Sequence, residues 1–215
     1  MTIGHPELVT AIAAEIADSG PIPFVRFMEL ALYHPQFGYY MRPPDSGSER
    51  IGWSGDFYTS SDVHPILGQA IARQARQIDA ALGCPDPFTV VEMGPGKGLL
   101  AKHFLSACRV QADDSFSRRL RYVLIERSPA MRELQRRNLL HGLCEPDRIT
   151  WVDDLPSLGP SHVTGLMFSN ELPDAFPVHR IQMEKGTAQE IYVDYDGATF
   201  VERLGPLSSP TVQEY

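Results

Sequence analysis

Residues Val90-Val91-Glu92-Met93-Gly94-Pro95-Gly96-Lys97-Gly98 carry the spacing with the most chemical content in this chain. An apolar run ends in an acid, Glu92, and then in Gly94, Gly96 and Gly98 at alternating positions, before the helical pattern of residues 99–105. Glycines so placed let the backbone turn sharply and approach a ligand closely. The unpaired N–H groups of the following helix then face that ligand. A dinucleotide fingerprint is G-x-G-x-x-G, with the turn amides on a pyrophosphate. The spacing here is G-x-G-x-G, and a fixed negative charge on Glu92 would repel a phosphate but suit a cation. S-adenosylmethionine, with its ammonium and sulfonium, is such a ligand. The competing reading is a tight strand-to-helix turn of any α/β protein. A phosphate-cradling P-loop is excluded, because Val91 stands where its first glycine belongs and Gly98 where Ser or Thr would bind magnesium.

Ligands of open α/β sheets sit beyond the carboxyl ends of the strands, so the residues closing the later apolar runs are the next candidates. Glu126 closes residues 122–126 and can accept hydrogen bonds from two ribose hydroxyls. Equally, it can be a surface acid at a helix start, with Ser128 as N-cap before Pro129; the two readings are compatible. Asp153 and Asp154 close residues 149–152 and either face an adenine amino group or are solvated loop acids. The fourth run gives way to Ser169, Asn170, Glu171 and Asp174, polar residues where an acceptor substrate would meet a transferable group. Residues 55–61, with Asp56 and Thr59, combine small, hydroxylated and aromatic side chains, suiting a wall or lid or else a plain helix cap by Ser61 or Asp62.

Alternating elements position these residues. Apolar, β-rich runs at 88–93, 122–126, 149–152 and 163–168 are separated by helical patterns at 99–108 and 129–141. That alternation predicts a parallel, doubly wound sheet with right-handed crossovers. Upstream, amphipathic patterns predict helices at 6–18, 24–33 and 65–81. Pro, Gly and Ser in residues 41–54 predict a mobile loop. Downstream, runs at 178–183, 190–195 and 199–204, joined by Lys185-Gly186 and Asp196-Gly197, predict an antiparallel meander, after which no closing element is expected. The change of pattern divides the chain into a helical region, 1–82, and an α/β domain, 83–215.

Composition narrows the function classes. Net charge is −8, so no global basic field favours nucleic acid. Arg118, Arg119 and Arg121, with Arg132, Arg136 and Arg137, read as solvated helix surface. No apolar run approaches the ~20 residues of a membrane span. The first seven residues lack both a basic signal region and an Arg-rich transit pattern. Three scattered cysteines, Cys84, Cys108 and Cys144, suit a reducing compartment, and a cytoplasmic protein is expected. No metal-ligand spacing is present, the approach of His141 to Cys144 being incidental. The glycine spacing and the lack of a hydride-transfer acid/base pair argue against an NAD-type oxidoreductase.

Five motifs, in order along the chain, resemble the MidA-like family, which includes a mitochondrial protein-arginine methyltransferase of complex I assembly. They are Pro21-Ile22-Pro23-Phe24-Val25-Arg26-Phe27-Met28 with Tyr33-His34-Pro35-Gln36-Phe37-Gly38-Tyr39-Tyr40; Gly55-Asp56-Phe57-Tyr58-Thr59-Ser60; the glycine loop; Glu126-Arg127-Ser128-Pro129; and Ser169-Asn170-Glu171-Leu172-Pro173-Asp174-Ala175-Phe176-Pro177-Val178. The resemblance implies a Rossmann-like class I methyltransferase sheet using S-adenosylmethionine, with an N-terminal helical extension and a protein arginine as acceptor, such as one on a respiratory-complex subunit. It implies Glu92, Gly94, Gly96, Gly98, Glu126, Asp153, Asp56 and Thr59 as cofactor-binding residues and Asn170, Glu171 and Asp174 as catalytic ones. Family members continue beyond the last residue here, so an incomplete fold is expected. A non-catalytic assembly protein that keeps the cofactor fold is the alternative reading.

Overall fold

A computed structural model describes residues 4–42, 51–109, 115–140, 148–159 and 163–214. The chain divides into two compact units, Pro43–Leu172 and the two-segment unit Met1–Arg42 with Pro173–Tyr215. The expected boundary at 82/83 falls inside the contiguous unit, because the helix of residues 66–81 packs with the parallel sheet rather than with the N-terminal helices.

The two-segment unit opens with α1 (Pro6–Ser19), β1 (Ile22–Pro23) and α2 (Phe24–Tyr33). The contiguous unit holds α3 (Ser60–Val63), α4 (Ile66–Ala81), β2 (Phe88–Met93), α5 (Leu99–Arg109), α6 (Ser115–Arg119), β3 (Leu120–Ile125), α7 (Pro129–Leu140), β4 (Ile149–Val152) and β5 (Gly165–Ser169). The chain then returns to the first unit through β6 (Ile181–Glu184), β7 (Thr187–Tyr195), β8 (Phe200–Gly205) and α8 (Pro210–Gln213).

In the contiguous unit the strands are all parallel, in the order β4-β3-β2-β5. Phe88, Val90 and Val91 of β2 and Tyr122, Leu124 and Ile125 of β3 are buried, as strands covered on both faces must be. Alanines bring the helices close: Ala72 and Ala75 of α4 and Ala101 of α5 are buried in the same core. A Cβ on Gly68 would stand 2.6 Å from Cβ of His103, so α4 crosses α5 without a side chain there. β5 begins with a similar approach, since a Cβ on Gly165 would lie 2.1 Å from the Thr89 carbonyl oxygen. Arg119 is not solvated. Its guanidinium donates to both oxygens of Asp79, at 2.7 and 2.8 Å, and to the Pro85 carbonyl. That guanidinium holds the Asp79 carboxyl below its ordinary range.

In the two-segment unit β7 is central, with β8 along one side and β6 and β1 along the other, all antiparallel. Ile191 and Val193 are buried on it, and Val193 packs with Ile12 and Ile16 of α1 and Leu30 of α2. The expected meander is present. Lys185 and Gly186 both adopt positive φ, +50° and +83°, the backbone a two-residue hairpin requires. Asp196 closes the second turn by accepting from Ala198 N and Thr199 N, each at 2.8 Å. After β8 the described chain forms one helical turn, α8, where Ser209 accepts from Thr211 N.

Within the loop expected at 41–54, residues 43–50 lie outside the described residues. Residues 51–57 close on themselves, with Gly52 N donating to Phe57 O at 2.8 Å. The expected His141–Cys144 approach also lies outside the described residues. Among the described residues no helix is long and apolar enough to cross a membrane.

Candidate functional site

Strand register gathers most of the candidates on one edge of the parallel sheet. Met93 pairs with Ile125 on one side and Ser169 on the other, and Ile125 with Val152. All four strands therefore end level. From β2 the chain winds outward through β3 and β4, then crosses back to place β5 on the other flank. The crevice of such a sheet opens at that reversal, between β2 and β5, and the glycine loop begins there.

The three glycines have distinct tasks. All have positive φ, +69°, +53° and +77° for Gly94, Gly96 and Gly98. A Cβ on Gly94 would meet Leu172 Cδ1 at 2.6 Å, so its bareness lets Leu172 pack across the end of β2. A Cβ on Gly98 would meet Gln135 Cγ at 3.3 Å. Around Gly96 nothing stands within 4 Å of that position. It is the glycine whose bare face opens on free space.

Lys97 was not among the residues expected to matter. Its ammonium lies 2.5 Å from Asp62 Oδ1, with the two side chains 16% and 4% exposed. Burial raises the Asp62 carboxyl, but Lys97 and the Thr59 N–H outweigh it and hold the group below its ordinary range. Neither Ser61 nor Asp62 caps the helix expected at 65–81, where Pro65 stands at the N-cap of α4. Both lie in the one-turn α3, whose N-cap is Thr59 and whose N3 acid Asp62 accepts from Thr59 N at 2.9 Å. Thr59 Oγ1 donates to the same carboxylate, so Thr59 is tied to the glycine loop through Asp62 and Lys97. Asp56 is exposed in the preceding turn.

Glu92 differs from its sequence reading. It is 2% exposed and accepts from the Tyr122 hydroxyl at 2.6 Å. Burial pushes its carboxyl up to about 7, with the Tyr122 bond pulling the other way. The cause is strand alternation: Glu92 shares a face with Val90, beside Tyr122 and Leu124 of β3, and turns into the core rather than toward the edge. It is no fixed negative charge.

Glu126 is where the sequence placed it, directly after β3. Its two oxygens accept from Ser128 N at 2.8 Å and from Gln135 Nε2 at 3.2 Å. Burial raises this carboxyl while those bonds oppose the rise. A carboxylate offers about four lone-pair positions, so these bonds leave acceptor capacity for a ligand. Ser128 meanwhile is buried and its Oγ accepts from Met131 N, so the capping role and an acceptor role for Glu126 coexist. Asp153 is exposed and paired with Arg132, whose Nε also donates to the Glu126 carbonyl at 2.6 Å. Glu171 has φ +54°, a conformation rare for a residue with a side chain and frequent at functional sites. Asn170 and Glu171 close the β5 edge of the contiguous unit. Asp174 is exposed in the 3-10 turn Pro173–Ala175 of the two-segment unit.

An open parallel sheet with a bare glycine at its topological reversal and an acid closing the neighbouring strand defines a Rossmann-like α/β domain of the nucleotide-binding kind. Residues 70–215 match the model of the family described as "Putative S-adenosyl-L-methionine-dependent methyltransferase". The chain belongs to that family. It is 30% identical to the protein arginine methyltransferase NDUFAF7 homolog, mitochondrial, of Drosophila melanogaster, over 91% of this chain and 47% of the relative. To the Homo sapiens protein arginine methyltransferase NDUFAF7, mitochondrial, it is 25% identical, over 85% of this chain and 44% of that one. The chain thus spans about half the length of the curated relatives it matches. A Burkholderia thailandensis structure bound to S-adenosyl-homocysteine superposes with a TM-score of 0.78 at 29% identity, covering 99% of this chain and 55% of that one.

Proposed function

We propose that this protein is an S-adenosylmethionine-dependent methyltransferase whose acceptor is an arginine side chain of a protein. The observation that carries the reading is the open face of Gly96 at the sheet's reversal, with the Glu126 carboxylate closing the next strand. Those residues fit the cofactor: a bare backbone for its methionine part and unfilled carboxylate lone pairs for its ribose. The B. thailandensis structure with S-adenosyl-homocysteine and the names of the curated relatives support the reading. A respiratory-complex subunit is the acceptor that the family resemblance favours.

When bound, S-adenosylmethionine supplies a methyl group on a sulfonium, open to in-line attack by a nitrogen. The chain's share is positioning and electrostatics. Gly96 leaves room for the ligand, and Lys97, fixed by Asp62, anchors the loop that carries it. Glu126 accepts from the ribose hydroxyls, and Asp153 is the proposed adenine contact. Glu171, held by its own backbone at the end of β5, orients the guanidinium, with Asn170 beside it. Its carboxylate also receives the proton that the nitrogen loses on methylation.

Calorimetric titration with S-adenosylhomocysteine tests the assignment. Gly96→Val fills the open face and strains a positive φ, and binding is expected to vanish; unchanged affinity overturns the reading. Labelled methyl groups from S-adenosylmethionine are expected on arginine in an extract protein, about 100-fold more slowly with Glu171→Gln. Tight cofactor binding without any transfer would favour the non-catalytic alternative.

A further inference from the structure

Gln135 sits on α7 with none of its surface exposed. Its neighbour in the helix, Leu139, is equally buried and apolar, so packing alone does not call for an amide here. A buried amide requires partners, and Gln135 has three. Oε1 accepts from the Trp151 indole at 2.9 Å. Nε2 donates to the Gly96 carbonyl at 2.7 Å and to Glu126 Oε2 at 3.2 Å. An indole nitrogen only donates, which fixes which way the amide points. Turned over, it would set N–H against N–H at Trp151 and oxygen against two acceptors. One NH2 group therefore spans the carbonyl of the open glycine and the acid of the neighbouring strand. Gly98 provides the passage for this side chain, since a Cβ there would crowd Gln135 Cγ at 3.3 Å.

We propose that Gln135 is a positioning residue of the cofactor site. It sets the separation of Gly96 and Glu126, and by occupying a lone pair of Oε2, as the backbone amide of Ser128 does on Oε1, it leaves the remaining acceptor positions to face the ribose hydroxyls. Trp151 acts behind it, locking the amide. The inference rests on the cofactor reading above.

The test compares S-adenosylhomocysteine with its 2′-deoxyribose analogue by calorimetry, on the wild type, Gln135→Met and Trp151→Phe, each first shown by melting to fold cooperatively. Loss of the hydroxyl is expected to weaken wild-type binding about tenfold, as loss of a hydrogen bond to a charged group does. Gln135→Met is expected to bind S-adenosylhomocysteine about 10- to 100-fold more weakly, by analogy with the loss of the hydrogen-bonding partners that orient metal ligands. It should then treat the two ligands alike to within about twofold. Trp151→Phe keeps a ring for Arg136, which stacks 5.0 Å above it, and is expected to lose part of the discrimination. A purely structural role would weaken both ligands equally and leave discrimination intact, and that result, or unchanged affinity, overturns the proposal. Should Gln135→Met not fold, Trp151→Phe decides by the same criterion. Failure of the wild type to bind S-adenosylhomocysteine overturns the cofactor reading itself; wild-type binding with unaltered discrimination in the variants overturns only the role of Gln135.

Discussion

Glu92 in the parallel sheet and Glu190 in the antiparallel one are both withdrawn from solvent, at 2% and 0% exposure, yet their carboxyls move in opposite directions. Burial raises both. Glu92 has the single Tyr122 hydroxyl to oppose it and rises to about 7. Glu190 is met by His179 Nδ1 at 2.7 Å, Ser208 N at 2.6 Å and Ser208 Oγ at 3.0 Å. Together these outweigh burial and hold it below the ordinary range. Depth and donors act together: Glu92 lies deep in the sheet core with one hydroxyl facing it, whereas Glu190 lies nearer the surface, beside a part-exposed His179, with three donors on its oxygens. The core behind the cofactor edge thus holds an acid that is largely neutral below pH 7, and the other unit holds one that is ionised.

The largest expected effect separates the two by pH. A raised folded value means that the folded state binds more protons than the unfolded one between about 4.5 and 7, so stability falls as pH rises through that window. Wild-type stability should drop by about 3 kcal/mol from this group, and Glu92→Gln, which stays neutral and still accepts from Tyr122, should not show the drop. Urea unfolding at pH 5 and pH 8 measures it, and parallel curves for the two proteins would break the comparison. For Glu190 the sign reverses: its contribution is present above the unfolded value of 4.5 and is lost as pH falls below it. Glu190→Gln should cost about 2 kcal/mol at pH 7, through mismatched donors, and shrink the acid-side loss. An acid limb as steep as the wild type's would refute this assignment. Smallest is Tyr122→Phe, which removes the hydroxyl donor to Glu92 and should cost about 1 kcal/mol at pH 8. Its cost should be less at pH 5, where Glu92 is protonated in the folded state and the hydroxyl no longer donates to a charge; equal costs at the two pH values would argue that the hydroxyl does not face a titrating group.

Strand and helix positions were largely legible where apolar runs met strong breakers. The helix at 24–33 and the strand at 88–93 match α2 and β2. β1 was not, because Pro21-Ile22-Pro23 reads locally as a breaker and its partners, Tyr192 and Val193, are remote in sequence. The direction of Glu92 was hidden for another reason. A strand covered on both faces has no polar side, so alternation in the sequence does not say which residues face the core. Gln135 was missed because a polar residue on an amphipathic helix reads as solvent-facing. Only the carbonyl of Gly96 and the indole of Trp151 reveal why it is inside. The glycine triplet was visible as a motif, but its division into a packing glycine, an open glycine and a passage for Gln135 depends on Leu172, just after β5, and on α7.

The division of the chain also orders its assembly. Residues 43–172 form one continuous unit, whereas the other joins the first 42 residues to those from 173 onward. As the chain leaves the ribosome, α1 and α2 emerge first but lack β7, on which Val193 completes their core. Their core waits on residues made after the four parallel strands β2 to β5. Because residues 43–172 are continuous in sequence, that unit can fold on closures within itself, whereas the two-segment unit needs both of its segments.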